Sequence, residues 1–132
     1  MTQLCTFRVG TMTFGVPAVD VQEILRAQPL TRVPLADAAL AGLMNLRGQI
    51  VTTIDLRARL GMPPREESDR SVNVVVRCAD GVFSLLVDTI GDVLVADPGL
   101  FEPIPDHVPA RFRDVVAGAY KLSDHLLFAL VL

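Results

Sequence analysis

The most informative stretch of the sequence is Gly42-Leu-Met-Asn-Leu-Arg-Gly48, which runs directly into Gln49-Ile-Val-Thr-Thr-Ile-Asp-Leu-Arg57. Residues 49–54 are rich in β-branched side chains and predict a strand. Arg47-Gly48 predicts a tight turn before that strand, because glycine takes the positive φ that such turns need. Asp55 then predicts the N-cap of a short helix. The stretch therefore combines a turn, a strand and a short helix.

Arg47 has two interpretations. In the first, the guanidinium is simply solvated at the tip of a β-turn. In the second, the turn holds the guanidinium in place for recognition, because its planar fork suits bidentate contacts at interfaces. Both interpretations fit the residues equally well.

The sequence on both sides of this stretch is mostly β. Short segments of β pattern are separated by Gly and Pro, which is typical of barrels and sandwiches. Asp80-Gly81 and Ser123-Asp124 mark two of the hairpin turns. The predicted strands are residues 3–10, 12–16, 30–33, 49–54, 71–77, 82–87, 90–95, 115–122 and 126–132.

Helices are expected to be few and short. Residues 37–42 predict a one- or two-turn helix with Asp37 as its N-cap. Residues 19–25 predict a short helical stretch or an extended turn. Residues 65–70 predict an exposed polar loop and are the best candidate for a mobile segment. Residues 97–109 predict a long connection without periodicity.

Composition excludes several classes of protein. The chain has 132 residues, 51% of them hydrophobic, which is enough for one domain with its own core. Its longest apolar run, residues 126–132, is far shorter than a membrane-spanning helix. The start of the chain shows no secretory signal, so we expect a soluble cytoplasmic protein. The net charge is −3, and no basic stripe indicates nucleic-acid binding.

The sequence carries no recognisable catalytic or metal-binding constellation. No serine lies in a nucleophile elbow, and the glycines form no phosphate-binding loop. Cys5 and Cys78 are predicted to be free thiols in strand interiors. His107 and His125 lack ligand spacing with either cysteine. Asp88, four residues before Asp92, is expected to cap a turn or to face water. We expect no enzyme, no metal and no cofactor.

Five blocks of sequence occur in order along the chain. They are Phe14-Gly-Val-Pro17 with Val21-Gln-Glu-Ile-Leu25; Thr31-Arg-Val-Pro34; the block from Gly42 to Val51; Ile54-Asp-Leu-Arg57; and Leu85-Leu-Val-Asp88 with Asp92-Val-Leu94. In order and spacing they closely resemble the CheW-like domain family, the coupling proteins of bacterial chemosensory arrays. The resemblance runs from Leu4 to Leu132 and covers nearly the whole chain.

The resemblance implies a mainly β fold. Two SH3-like five-stranded β-barrel subdomains, with a few short helices, would share a core within a single CheW-like domain over residues 1–132. No sequence feature marks the boundary between the two barrels. The resemblance also implies a protein without catalytic activity or cofactor.

The resemblance further implies two partners. Family members bridge the cytoplasmic tip of a methyl-accepting chemoreceptor to the regulatory domain of a CheA-type histidine kinase, and other CheW-like domains can join them in rings. The expected location is the cytoplasm, at receptor arrays under the inner membrane, without nucleic-acid binding or direct membrane insertion.

By the same resemblance, a groove between the barrels would accept the helical hairpin tip of the receptor. Val21 and Ile24 would supply its apolar part, Glu23 would stand at the rim, and Arg47 would anchor a carboxylate or a helix-end carbonyl. The kinase would meet a barrel end whose residues the resemblance does not assign. The expected groove residues are Val21, Glu23, Ile24, Asn45, Leu46, Arg47 and Gly48.

An alternative function stays open. Family members commonly continue after the last strand into a C-terminal helix, whereas this sequence stops at Leu132. Without such a helix, the last strand would expose apolar surface that another protein could cover. The alternative is an accessory CheW-like paralogue that binds one partner and caps or inhibits assembly, or that serves a non-flagellar pathway.

Overall fold

The structure is a computed structural model that describes residues 1–66 and 70–131. Within these residues the chain forms two β-sheets, two four-residue α-helices and two short 3₁₀ helices, Ala18–Asp20 and Pro98–Leu100. The helices are α1 (Leu56–Arg59) and α2 (Ala110–Arg113). The strands are β1 (Thr2–Val9), β2 (Met12–Pro17), β3 (Val21–Arg26), β4 (Leu40–Leu46), β5 (Gln49–Asp55), β6 (Val72–Cys78), β7 (Gly81–Val87), β8 (Thr89–Ala96), β9 (Phe101–Pro103), β10 (Val116–Lys121) and β11 (Leu126–Leu130).

The two sheets use different parts of the chain. The first sheet has the order β8-β1-β2-β11-β10-β9, and the second sheet has the order β3-β6-β7-β5-β4. The second sheet is therefore built from residues 21–87 alone, whereas the first sheet combines residues from before and after them. The chain enters the second sheet through the 3₁₀ helix Ala18–Asp20 and leaves it at Asp88.

This mainly β architecture with two sheets confirms the expected fold class, with one difference in strand count. The first sheet has six strands instead of five, because Phe101–Pro103 pairs with β10. Those three residues lie in the segment that the sequence predicts as an irregular connection. The rest of that segment includes a 3₁₀ helix, and α2 follows it.

The main hydrophobic core lies between the two sheets. Phe7, Phe14 and Val16 of the first sheet pack there against Val74 and Val76 of the second sheet. Along β6 the side chains alternate, so that Val75 points the other way into a separate cluster within the second sheet. That second cluster contains Met44, Leu46, Val51 and Val75. Because both sheets supply the main core, neither buries its inner face alone.

Residues 37–42 do not form the predicted helix. Asp37 accepts a hydrogen bond from Ala39 N at 2.8 Å in a turn, and β4 begins at Leu40. Thr31 and Leu43 exchange two backbone hydrogen bonds of 2.9 and 2.8 Å, and a Cβ at Gly42 would lie 2.8 Å from Thr31 O. Strand pairing thus outweighs the helix propensity of the alanines. This single bridge at Thr31 also replaces the strand predicted for residues 30–33.

Three further predictions need correction. After Pro17 the chain makes one 3₁₀ turn and then continues as strand β3, so residues 21–25 are extended. The hairpin after β6 has Ala79 and Asp80 in its loop, because Cys78 pairs with Gly81. In the predicted polar loop, Arg65 is largely buried against Asp88, whereas residues 67–69 lie outside the described residues.

No helix among the described residues combines the length and the hydropathy needed to cross a membrane.

Candidate functional site

The hairpin between β4 and β5 has a loop of only two residues, Arg47 and Gly48. Leu46 pairs with Gln49, and the loop residues have φ values of 51° and 84°. Two successive positive φ angles are the pattern of a type I′ turn, which matches the twist of the flanking strands. Gly48 N donates to Asn45 Oδ1 at 2.9 Å. The sequence predicts positive φ at Gly48 alone, so the left-handed Arg47 is a new finding.

The Arg47 side chain makes a bidentate ion pair with Glu23. Arg47 Nη1 lies 3.0 Å from Glu23 Oε1, and Arg47 Nη2 contacts Glu23 Oε2. Glu23 belongs to β3 and Arg47 follows β4, and these are the two edge strands of the second sheet. The sheet must therefore curl until its edges meet at this end. The bridge between Thr31 and Leu43 joins the chain after β3 to β4 in the same way.

Hydrogen bonding keeps this pair ionised. The hydrogen bonds from Arg47 lower the pKa of the Glu23 carboxyl, burial opposes this, and the charge of Arg47 lowers it further. The same hydrogen bonds raise the pKa of the Arg47 guanidinium. The Arg47 side chain is nevertheless 67% exposed. Glu23 thus orients the Arg47 guanidinium, which stays accessible to a partner.

A β-bulge divides the predicted groove residues between the two faces of β3. Glu23 lies opposite Val75, but Val21 lies opposite Val76, so one extra residue is accommodated between them. Val21 and Ile24 therefore share the face that packs towards the first sheet. Val21 contacts the main core, and Ile24 is 44% exposed at its edge. Glu23 and Arg47 meet on the opposite face.

Two of the predicted residues contribute little to the accessible surface. Leu46 is buried in the second cluster beside Met44, and Val21 is half-buried. The structure brings Glu23 and Arg47 together directly, and it brings Asn45 and Gly48 together within the turn. Ile24 is the exposed apolar member of the set.

The sequence predicts β8 as a strand but assigns none of its residues to a binding surface, although β8 presents a row of exposed aliphatic side chains. β8 is an edge strand that pairs, among the described residues, with β1 alone. Val93 and Val95 are 57% and 59% exposed. Val93 lies opposite Cys5, which packs against the main core, so this row belongs to the face that looks towards the second sheet. The sequence signal that could have pointed to this surface is the run of three aliphatic residues after Asp92.

A second bulge gives β8 the same arrangement as β3. Phe7 pairs with Ile90, whereas Cys5 pairs with Val93, so Ile90 and Val93 come onto one face although they are three positions apart. The edge strands of both sheets thus present aliphatic side chains to the space between the sheets. Val21 and Ile24 do so from β3, and Ile90, Val93 and Val95 do so from β8.

The thiols and acids of the described residues form no metal site. No group of three or more His, Cys, Asp or Glu side chains among them could hold a metal ion. Cys5 and Cys78 are free and half-buried, as the sequence predicts for their redox state. Burial raises the pKa of the Cys5 thiol, which makes it less reactive.

The family model described as the CheW-like domain matches residues 3–132. This chain belongs to the CheW-like domain family. It is 38% identical over 125 residues to a probable chemotaxis protein CheW of Rhizobium etli, an alignment that covers 95% of this chain and 81% of the relative. It is 29% identical over 125 residues to the chemotaxis protein CheW of Bacillus subtilis, covering 95% of this chain and 80% of that protein.

A solved CheW structure has the same fold. The scaffolding protein TtCheW of Thermoanaerobacter tengcongensis superposes with a TM-score of 0.89 at 27% sequence identity, covering 99% of this chain and 89% of that one. The CheW relatives and this scaffold structure support a chemosensory adaptor role for the chain.

Proposed function

We propose that this chemosensory adaptor couples the cytoplasmic tip of a methyl-accepting chemoreceptor to the regulatory domain of a CheA-type histidine kinase. The observation that carries the proposal is the pair of aliphatic edge strands, β3 and β8, which both face the space between the sheets. A helical hairpin tip carries an apolar stripe that such a groove can cover. Ile24 and Val93 are the central exposed side chains of this surface.

Arg47 supplies a polar contact for the receptor beside the groove, on the face of β3 opposite to Ile24. Its guanidinium is exposed, and the bidentate pair with Glu23 fixes its orientation. An oriented guanidinium needs less ordering when it meets a carboxylate or a helix-end carbonyl of the partner. Asn45 and Gly48 support this role by holding the turn. Leu46 supports the turn indirectly, because it is buried in the hydrophobic cluster next to the turn.

The kinase contact belongs to a second surface at a barrel end, and CheW-like domains can join the same rings. Contacts of this kind are individually weak and gain strength through multivalency. We place the chain at the cytoplasmic face of receptor arrays and infer that it acts by binding, without catalysis or a cofactor.

The first experiment tests the polar contact. Arg47→Asn removes the guanidinium while supplying a residue that type I′ turns favour, so the hairpin should persist. We expect the affinity for a chemoreceptor tip fragment to fall roughly tenfold or more, as for a central interface arginine. Binding to the kinase regulatory domain should be unchanged. The control is Arg70→Asn, which removes a charge from an exposed arginine elsewhere. Unchanged receptor affinity in the first variant would remove Arg47 from the site.

The second experiment tests the apolar groove. Val93→Asp places a charge in the row on β8, and it should abolish receptor binding because the carboxylate would be buried without a partner. Leu126→Asp is the matched control, since Leu126 is similarly exposed, at 46%, but lies on β11. Receptor binding that survives Val93→Asp and fails with Leu126→Asp would move the groove to another face.

The same measurements separate the adaptor from the alternative of a capping paralogue. An adaptor binds the receptor fragment and the kinase domain in separate titrations. A cap binds only one of them, and would leave receptor control of the kinase absent in a reconstituted array.

A further inference from the structure

Asp88 is the single residue between β7 of the second sheet and β8 of the first sheet. Its carboxylate accepts hydrogen bonds from three separate parts of the chain. Gly10 N donates to Oδ2 at 2.7 Å. Arg57 donates through Nε to Oδ1 at 3.0 Å and through Nη2 to Oδ2 at 2.7 Å. Arg65 donates through Nε and Nη2 to Oδ1 at 2.9 and 2.7 Å.

The three donors belong to different structural units. Gly10 lies in the turn between β1 and β2 and therefore belongs to the first sheet. Arg57 lies in α1, whose N-cap Asp55 ends β5, so it represents the second sheet. Arg57 Nη1 also donates to Pro63 O at 3.0 Å, which fastens the segment that carries Arg65. One carboxylate thus joins both sheets and the connection before β6.

The geometry and burial of these contacts fix the orientation of the groups around Asp88 as well as their distances. The side chains of Arg57 and Asp88 are each 18% exposed, and that of Arg65 is 10% exposed. A bidentate guanidinium–carboxylate pair fixes the angle between its two planes as well as their distance. The main-chain bond from Asp88 N to Arg8 O, 3.0 Å, holds the other side of the same residue to β1. Rotation of one sheet against the other would have to break several of these bonds together.

We propose that Asp88 is a positioning residue that sets the orientation of the two sheets relative to each other. Arg57 and Arg65 hold the Asp88 carboxylate in place, and the carboxylate in turn holds the β1–β2 turn through its hydrogen bond from Gly10 N. The orientation of the sheets determines the width of the space that β3 and β8 face. It can be measured on the isolated protein, so failure of this proposal and failure of the proposed receptor groove are distinguishable.

The experiment measures the distance between the sheets by pulsed electron spin resonance. Spin labels are attached at Ser123→Cys, in the β10–β11 turn of the first sheet, and Asp80→Cys, in the β6–β7 turn of the second sheet. Cys5→Ala and Cys78→Ser remove the native thiols. The otherwise unaltered protein should give one narrow distance distribution. Asp88→Asn should shift or broaden it, because the amide cannot hold two guanidinium groups and Gly10 N together.

The control is Asp92→Asn, which makes the same change of charge at an exposed position on β8 and should leave the distribution unchanged. A narrow, unshifted distribution in Asp88→Asn, even with a lower unfolding midpoint, would overturn the proposal, because the cluster would then only add stability. If Asp88→Asn does not fold, Arg65→Gln decides the question with the Arg57 pair intact. A broader distribution in that variant supports a positioning role, and an unchanged one rejects it.

Discussion

Arg47 holds a left-handed backbone conformation in which the Cβ of most residues crowds the next carbonyl oxygen. Asparagine tolerates this conformation, so Arg47→Asn relieves strain while it removes the ion pair with Glu23. That pair is exposed to solvent and screened. We therefore expect the urea midpoint of the variant to equal or exceed that of the unaltered protein. A clearly lower midpoint would show that the ion pair holds the edges of the second sheet together.

Thr53 has a fully buried hydroxyl without a hydrogen-bond partner among the described residues. Burying an unpaired hydroxyl is unfavourable, so Thr53→Val should raise the free energy of unfolding by about 1 kcal/mol. Thr6 is the matched control, because its buried hydroxyl donates to Asp92 O at 2.5 Å. Thr6→Val should lower the free energy of unfolding by a similar amount. Urea titration of both variants measures the contrast, and a loss of stability in Thr53→Val would contradict it.

The Asp88 carboxyl makes stability depend on pH. Burial alone would raise its pKa, but the hydrogen bonds from Arg57, Gly10 N and Arg65 and the charge of Arg65 hold the pKa well below the ordinary value of 3.8. As pH falls, the unfolded chain therefore takes up this proton before the folded chain does. The stability that Asp88 contributes is complete above the ordinary pKa and is lost progressively below it.

The expected measurement is the difference in free energy of unfolding between the unaltered protein and Asp88→Asn. This difference should be constant near neutral pH and should shrink from about pH 5 to about pH 3. A difference that grows on acidification would mean that the carboxyl is not held in its charged form.

At the scale of elements, the hairpin turn at Arg47-Gly48 and the β-branched runs of β5 and β6 are predictable from sequence. The start of β4 is not, because an alanine-rich segment favours a helix until Thr31 and β5 supply strand partners. The family resemblance nominates Glu23 and Arg47. Their contact depends on how the second sheet curls, and the shared face of Val21 and Ile24 depends on a bulge. Neither feature has a local sequence signal.

β9 is the shortest strand, and it depends on a glycine in its neighbour. A Cβ at Gly118 of β10 would lie 2.5 Å from Glu102 O and would overlap the Phe101 ring. Gly118→Ala should therefore displace β9 and lower the free energy of unfolding by roughly 1–3 kcal/mol. Gly99→Ala is a suitable control, since its Cβ would meet only the Asp97 side chain, at 3.3 Å or beyond. Equal stability losses in the two variants would argue against a specific clash at β9.

For the whole molecule, the shared core predicts a single cooperative unfolding transition. Phe7 and Phe14 bury their rings against Val74 and Val76, so neither sheet can open without exposing the other. Amide hydrogen exchange in denaturant should give the same opening free energy for the central amides of β1 and β6. Val74→Ala should lower both by on the order of 2 kcal/mol. A lower value confined to one sheet would show that the two unfold separately.

The interleaving of the sheets also sets an order of assembly during synthesis. β2 belongs to the first sheet and pairs with β1 on one edge. Its other edge pairs with β11, so Thr13 stays unpaired on that edge until Leu127 has been made. All strands of the second sheet, by contrast, have been made once Val87 is added. On the ribosome, the sheet that starts first is therefore completed last. Until β10 and β11 have been made, Phe7 and Phe14 of the β1–β2 hairpin lack part of the core that buries them in the folded protein.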